Sequence, residues 1–123
     1  VNRRWLLLGA LSAAVAVAAG AFGAHGLKSM LGADRLAVWD TAARYQLIHA
    51  LALVALGSLA ARRHGGPLQA GGWLFVAGTV LFSGSLYLLA VTGVRWLGAV
   101  TPLGGVAFIA GWLCLAWAAW RES

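Results

Sequence analysis

Hydrophobic positions fall into four long blocks along the chain, separated by short stretches where charges, glycine and proline collect. The first block covers residues 5–24 and holds no charge. The second is a helical pattern over residues 35–61 that becomes strictly apolar only from Ala50 onward. The third covers residues 70–92 and the fourth residues 97–120. Each approaches or exceeds the roughly 20 residues needed to cross about 30 Å of hydrocarbon. Unpaired backbone groups are costly in lipid, so each block is expected to be helical, and the few period-2 stretches do not suffice for a barrel. The pattern predicts an all-α membrane protein: a four-transmembrane-helix bundle with short loops, one membrane domain over residues 1–123. A short interfacial segment, residues 25–34, is expected between the first two helices.

Composition sharpens this picture. Hydrophobic residues make up 62% of the chain and charged residues 10%, against about 45–50% and about 25% in soluble domains. A small soluble domain buries too little of its surface to hide that much apolar area. The net charge of +6 comes from nine basic residues against three acids. These basic residues sit singly or in pairs at the ends of apolar blocks, which suits headgroup anchoring and excludes a basic patch for nucleic acid. The lone Cys114 lies inside the last block, so it forms no intrachain disulfide and is expected to pack as a small hydrophobe.

Arg3, Arg4, the apolar stretch after them and the small residues at 21–24 share features with a secretory signal; the block is expected to remain as a transmembrane helix. With four spans, Arg3, Arg4, Arg62, Arg63 and Arg121 share one side, and Lys28, Arg35, Arg44 and Arg95 the other. Five against four places both termini in the cytoplasm by the positive-inside rule, by a margin of one, and Arg44 at membrane depth would have a weaker vote. Trp5, Trp73, Trp117 and Trp120 are expected to mark one interface, Trp39 and Trp96 the other. His64 falls in the basic turn and is expected to be solvated.

The least ordinary segment is residues 39–49, where Asp40, Arg44, Tyr45, Gln46 and His49 open the second helix. Asp40 and Arg44 are four apart and can pair, as are Tyr45 and His49. Ionisable groups at membrane depth point by default to function; the alternative is an ion pair in the headgroup layer and a buried histidine bonded to a neighbouring helix. His25 ends the first span between glycines. No CxxCH, carboxylate cluster or second histidine on either helix supports haem or a metal, so no cofactor and no metal site are expected. In the third span, Ser83 and Tyr87 share a helical face while Ser85 points elsewhere. Without a strand-to-helix elbow a nucleophilic serine is not expected; packing and interhelical hydrogen bonds are.

Gly9, Ala13, Ala16, Gly20 and Ala24 follow one another at offsets of three and four, a small-residue stripe expected to form a helix contact. Gly104 and Gly105, just after Pro102, suit either a close crossing or a local helix break, with close crossing favoured.

Four motifs occur in order: residues 20–27 (GAFGAHGL), Tyr45-Gln46 with His49, residues 81–87 (LFSGSLY) and residues 101–105 (TPLGG). Together they resemble the small bacterial inner-membrane family called domain of unknown function 423, itself related to the animal transmembrane protein 256. The resemblance spans nearly the whole chain and implies a multi-pass bacterial inner-membrane protein. Its motif histidines map onto His25 and His49, its Tyr-Gln pair onto Tyr45 and Gln46, and its serines onto Ser83 and Ser85. It supplies no reaction.

Two functional classes stay open. The first is a non-enzymatic scaffold or accessory subunit, self-associating or bound to a membrane partner through its small-residue seams. The second is binding or transport of a small polar solute, lipid, quinone or ion through a polar cluster around His25 and His49, expected to converge in the non-cytoplasmic half. A third class, an intramembrane enzyme, is not expected: three acids, no metal triad and no serine elbow give general acid–base chemistry few candidates.

Overall fold

The computed structural model describes residues 2–59 and 66–121; Arg62, Arg63 and His64 lie outside the described residues. Helix α1 spans Arg3–His25, with the Asn2 side chain accepting from the Trp5 amide at 3.4 Å to cap it. One 3-10 turn, Leu27–Ser29, leads to α2 at Ala33–Leu59. Helix α3 covers Gly66–Thr92 and α4 Leu97–Arg121. All four are long and apolar enough to cross a membrane, and the described residues contain no strand. The molecule is a four-transmembrane-helix bundle, and its interfacial segment is the single turn after α1.

Helix ends agree with the apolar pattern to within a few residues. The largest difference is α3, which starts at Gly66 and not near residue 70. Pro67 falls in its first turn, where a missing N–H costs nothing because that position has no intrahelical partner. Gly93 ends α3 with φ +72°, its amide bonded to the Leu89 carbonyl at 2.8 Å. The Arg35 guanidinium lies directly over Gly93, so a side chain there would collide as well as strain the backbone.

Successive helices run antiparallel, and the α1–α2 and α3–α4 pairs touch through glycine. A methyl on Gly9 would lie 2.7 Å from the Val54 amide, and one on Gly57 would lie 2.7 Å from that of Leu6. Helices α3 and α4 cross in the same way at Gly111, where Phe75 fills the space, and at Gly104, where an added methyl would meet the Phe82 backbone. Trp5, Leu53, Leu56, Leu68, Phe75 and Phe108 form one core cluster. Lipid offers no hydrophobic drive between helices, so close backbone approach and dispersion hold them together.

Within α3, Thr79–Ser83 winds as a π-helix. This wider turn brings the Phe82 backbone onto Gly104 and lets the buried Ser83 hydroxyl donate to the Ala42 carbonyl of α2 at 2.8 Å. Such turns concentrate where a helix must re-aim side chains, and nothing in the apolar pattern announces this one.

Four sequence expectations change. Within the small-residue stripe, Gly9 and Ala16 are buried and Ala13 half-buried, but Gly20 has no neighbour that a methyl would meet. The Trp39 indole wedges between α1 and α2 there, donating to the Ala19 carbonyl at 2.7 Å, and the glycine it needs is Gly23. Gly104 makes the close crossing, while a methyl on Gly105 would only touch Phe82 at 3.9 Å. Trp5 is not an interfacial anchor: it is fully buried beneath Gly72, its ring edge-on to Trp73. Trp39, half-buried, also joins two helices and so does more than the surface role expected of it.

Candidate functional site

Gln46 lies midway along α2, about 20 Å from each helix end at 1.5 Å per residue. Its position faces α1 and α3, and only 6% of it is exposed. Its amide nitrogen donates to the Ser12 carbonyl at 3.1 Å and hydroxyl at 3.2 Å. Its carbonyl oxygen accepts from the Tyr87 hydroxyl at 2.7 Å. One side chain thereby joins three helices. The Tyr87 ring in turn packs edge-on against Trp39, 4.6 Å between centroids.

His49 follows three residues on and is 4% exposed. Its Nδ1 lies 2.7 Å from the Tyr45 carbonyl, and its Nε2 lies 3.0 Å from the Trp112 indole nitrogen. A carbonyl only accepts and an indole N–H only donates. The ring therefore carries its proton on Nδ1 and accepts at Nε2, so neither nitrogen is left for a metal. Phe108 stacks on its face at 3.5 Å and 5°, with Phe75 and Trp112 at 5.6 and 5.8 Å. Helices α2 and α4 thus meet through rings and not through backbone.

The serines divide as their spacing implies: Ser83 bonds α2, whereas the Ser85 and Thr101 hydroxyls share a hydrogen bond of 2.5 Å between α3 and α4. Gln46, His49, Ser83, Ser85 and Tyr87 are therefore joined to neighbouring helices inside the bundle.

The remaining candidates do not join them. His25 is exposed at the end of α1. Because Gly9 packs on Ala50, His49 is level with about residue 10, so His25 lies roughly 20 Å away along the axis. The two histidines cannot share a ligand; the other polar groups run from the bundle centre, at Gln46 and His49, into the half that holds the C-terminal end of α1, where Ser85 meets Thr101 four residues into α4. Asp40 and Arg44 are both exposed and do not pair; no ion pair within 4.0 Å occurs among the described residues. Asp40 turns its carboxylate toward Gly23 of α1, while Arg44 and Tyr45 border a groove between α2 and α4. That groove holds about 500 Å³, with Phe82, Ile109 and Trp112 among its walls.

Ser12, Thr101 and Trp112 escaped the sequence reading. Trp112 had a usable signal: it sits mid-span, away from the ends where membrane tryptophans gather, and one turn after Phe108. Replacing Gln46 by leucine is expected to cost about 1–3 kcal/mol, because the Tyr87 hydroxyl and the Ser12 groups lose their partner in a dry interior. Ser12→Ala, which leaves Gln46 its carbonyl bond, costs about 0.5 kcal/mol. Equilibrium unfolding in mixed micelles of mild detergent and dodecyl sulfate measures both.

Comparison with known proteins agrees with this architecture. Residues 19–105 match the model of the family described as protein of unknown function DUF423. The UPF0382 membrane protein YwdK of Bacillus subtilis is 50% identical over 116 residues, 94% of each chain. A UPF0382 membrane protein of Staphylococcus saprophyticus is also 50% identical, over 90% of this chain and 92% of its own. One from Staphylococcus haemolyticus is 48% identical over 90% of each. No solved structure matches the chain. With the family model covering most of its length and half-identical relatives aligned nearly end to end, the chain belongs to the DUF423 family of membrane proteins.

Proposed function

We propose that this protein is a non-enzymatic scaffold or accessory subunit of the bacterial inner (cytoplasmic) membrane, self-associating or bound to a membrane partner. One observation carries the reading. The buried polar side chains of the bundle are spent on its own groups: Gln46 on Ser12 and Tyr87, His49 on Trp112 and Tyr45, Ser85 on Thr101. Catalysis needs a group free to exchange protons or bonds with a substrate; transport needs a hydrated lining. Saturated hydrogen bonds across four helices instead fix one packing arrangement.

The outer surfaces suit assembly. Leu11 and Val15 of α1, and Leu113 and Trp117 of α4, are more than half exposed, and only lipid or another protein can cover them. Both termini are assigned to the cytoplasm. With Arg44 eleven residues inside α2, the basic count becomes five against three, which supports this orientation.

Native mass spectrometry from mild detergent tests the proposal. The expected result is a homo-oligomer or a stoichiometric complex with a membrane protein. A solitary monomer under every mild condition, with no partner retained after crosslinking in cells, overturns it.

A further inference from the structure

The charge at Arg44 stands apart from the closed scheme around it. It lies eleven residues from the start of α2 and fifteen from its end, about 16 and 22 Å at helical rise, well inside a 30 Å hydrocarbon layer. It is exposed, and no carboxylate among the described residues lies within 4.0 Å. A guanidinium at that depth is costly unless an anion or a dipole meets it.

Beside it runs the groove of about 500 Å³. Arg44 and Ile48 are one turn apart along its α2 wall, and Gly105, Ile109 and Trp112 step down its α4 wall in the same direction. Gly105, near the level of Arg44, leaves space where a head group would sit. Ile48 and Ile109 are 43% and 62% exposed, so the groove opens sideways into hydrocarbon. The Tyr45 ring packs on Phe82 at 4.7 Å and adds a hydroxyl with no partner among the described residues.

Going beyond the scaffold reading and independent of it, we infer that this groove binds a long-chain fatty acid, its carboxylate on Arg44 and its chain running past Ile48, Ile109 and Trp112. Three features select this occupant. The opening faces lipid, so an acyl chain reaches it without crossing water. Its volume suits one chain, at the lower end of the range for small-molecule sites. A carboxylate matches the two-pronged guanidinium and is small enough to sink below the headgroup layer, whereas the phosphodiester of a bilayer phospholipid stays in that layer.

The test uses the full chain in phosphatidylcholine nanodiscs, titrated with 9,10-dibromostearic acid, whose bromines quench a tryptophan they touch. Saturable quenching is expected, and Trp112→Phe should remove it. Arg44→Gln, a change at an exposed position, should weaken binding about tenfold or more, as loss of a charged hydrogen bond does; Arg44→Lys should retain part of it. The methyl ester should not saturate. Equal binding by the ester, or by Arg44→Gln, overturns the inference. So does saturation by brominated phosphatidylglycerol at lower concentration than the acid, which would make the occupant a phospholipid. Efficient disulfide trapping between two chains at Ile48→Cys in a Cys114→Ser background would make the groove an interface between copies, and equally defeats it. Because oligomeric state is read separately, the scaffold proposal can stand or fall without affecting this result.

Discussion

Gly104→Val is expected to cost about 3 kcal/mol or more, enough to unfold much of the protein in mild detergent. Even a methyl at this position would land on the backbone of Phe82, with its Cα at 2.7 Å. A side chain in the way can rotate aside, but a backbone cannot, so the whole of α4 must retreat from the π-helical turn. Overpacking of this kind costs about 1–3 kcal/mol where neighbours can adjust, and more where they cannot. The retreat would also stretch the bond of 2.5 Å between Ser85 and Thr101. Two glycines serve as controls. Gly105→Ala, one residue away, meets its nearest atom only at 3.9 Å and should cost well under about 1 kcal/mol. Gly20→Ala meets nothing within 4 Å and should be neutral or stabilise by about 0.5 kcal/mol through helix propensity. Unfolding midpoints in dodecyl sulfate rank the three. A tolerated Gly104→Val would show that α3 and α4 do not cross there.

His49→Ala should cost about 3 kcal/mol. The ring fills space against Phe108 and Phe75, so its removal leaves a cavity of the kind that makes aromatic-to-alanine changes expensive. It also strands the Trp112 N–H, worth about 1 kcal/mol in a membrane interior. His49→Phe separates these contributions. Phenylalanine keeps the stacking and loses only the hydrogen bonds, so about 1–2 kcal/mol should be lost. A structural histidine predicts that any cellular defect tracks this stability order, with phenylalanine well above alanine. If His49→Phe were as stable as the parent but as inactive as alanine, the imidazole would be acting chemically.

Much of the architecture was legible because a bilayer leaves few choices. Apolar blocks of this length must be helices, and charges must gather at their ends. The small-residue stripe of α1 was legible only in part. Gly9 and Ala16 contact α2 because two backbones approach there, while Gly20 is displaced by an indole from the partner helix. Which of two small residues meets a large neighbour depends on the partner's register, and periodicity on one helix does not carry that. The motif residues were found, but His25 does not join the rest. His25 and His49 stand in adjacent helices, yet an antiparallel pair puts the end of one beside the beginning of the next. Gln46 and Tyr87, far apart in sequence, meet because α2 and α3 run antiparallel. Ser12 carried no signal, since single hydroxyls are ordinary in membrane helices, and Thr101, though it opens the motif of residues 101–105, gave no sign of its bond to Ser85. Asp40 and Arg44 had the spacing of a pair, but one faces α1 and the other the α4 groove.

The tautomer of His49 reads the closed hydrogen-bond scheme most directly. Nitrogen-15 solid-state NMR of histidine-labelled protein in lipid bilayers, with the His49 signals assigned by their loss in His49→Phe, distinguishes the two ring nitrogens. A proton on Nδ1 and an accepting Nε2 in contact with the Trp112 N–H is the predicted result. A proton on Nε2, or an imidazolium, would mean that Trp112 is not its donor and that the mid-bundle polar groups are not saturated by one another.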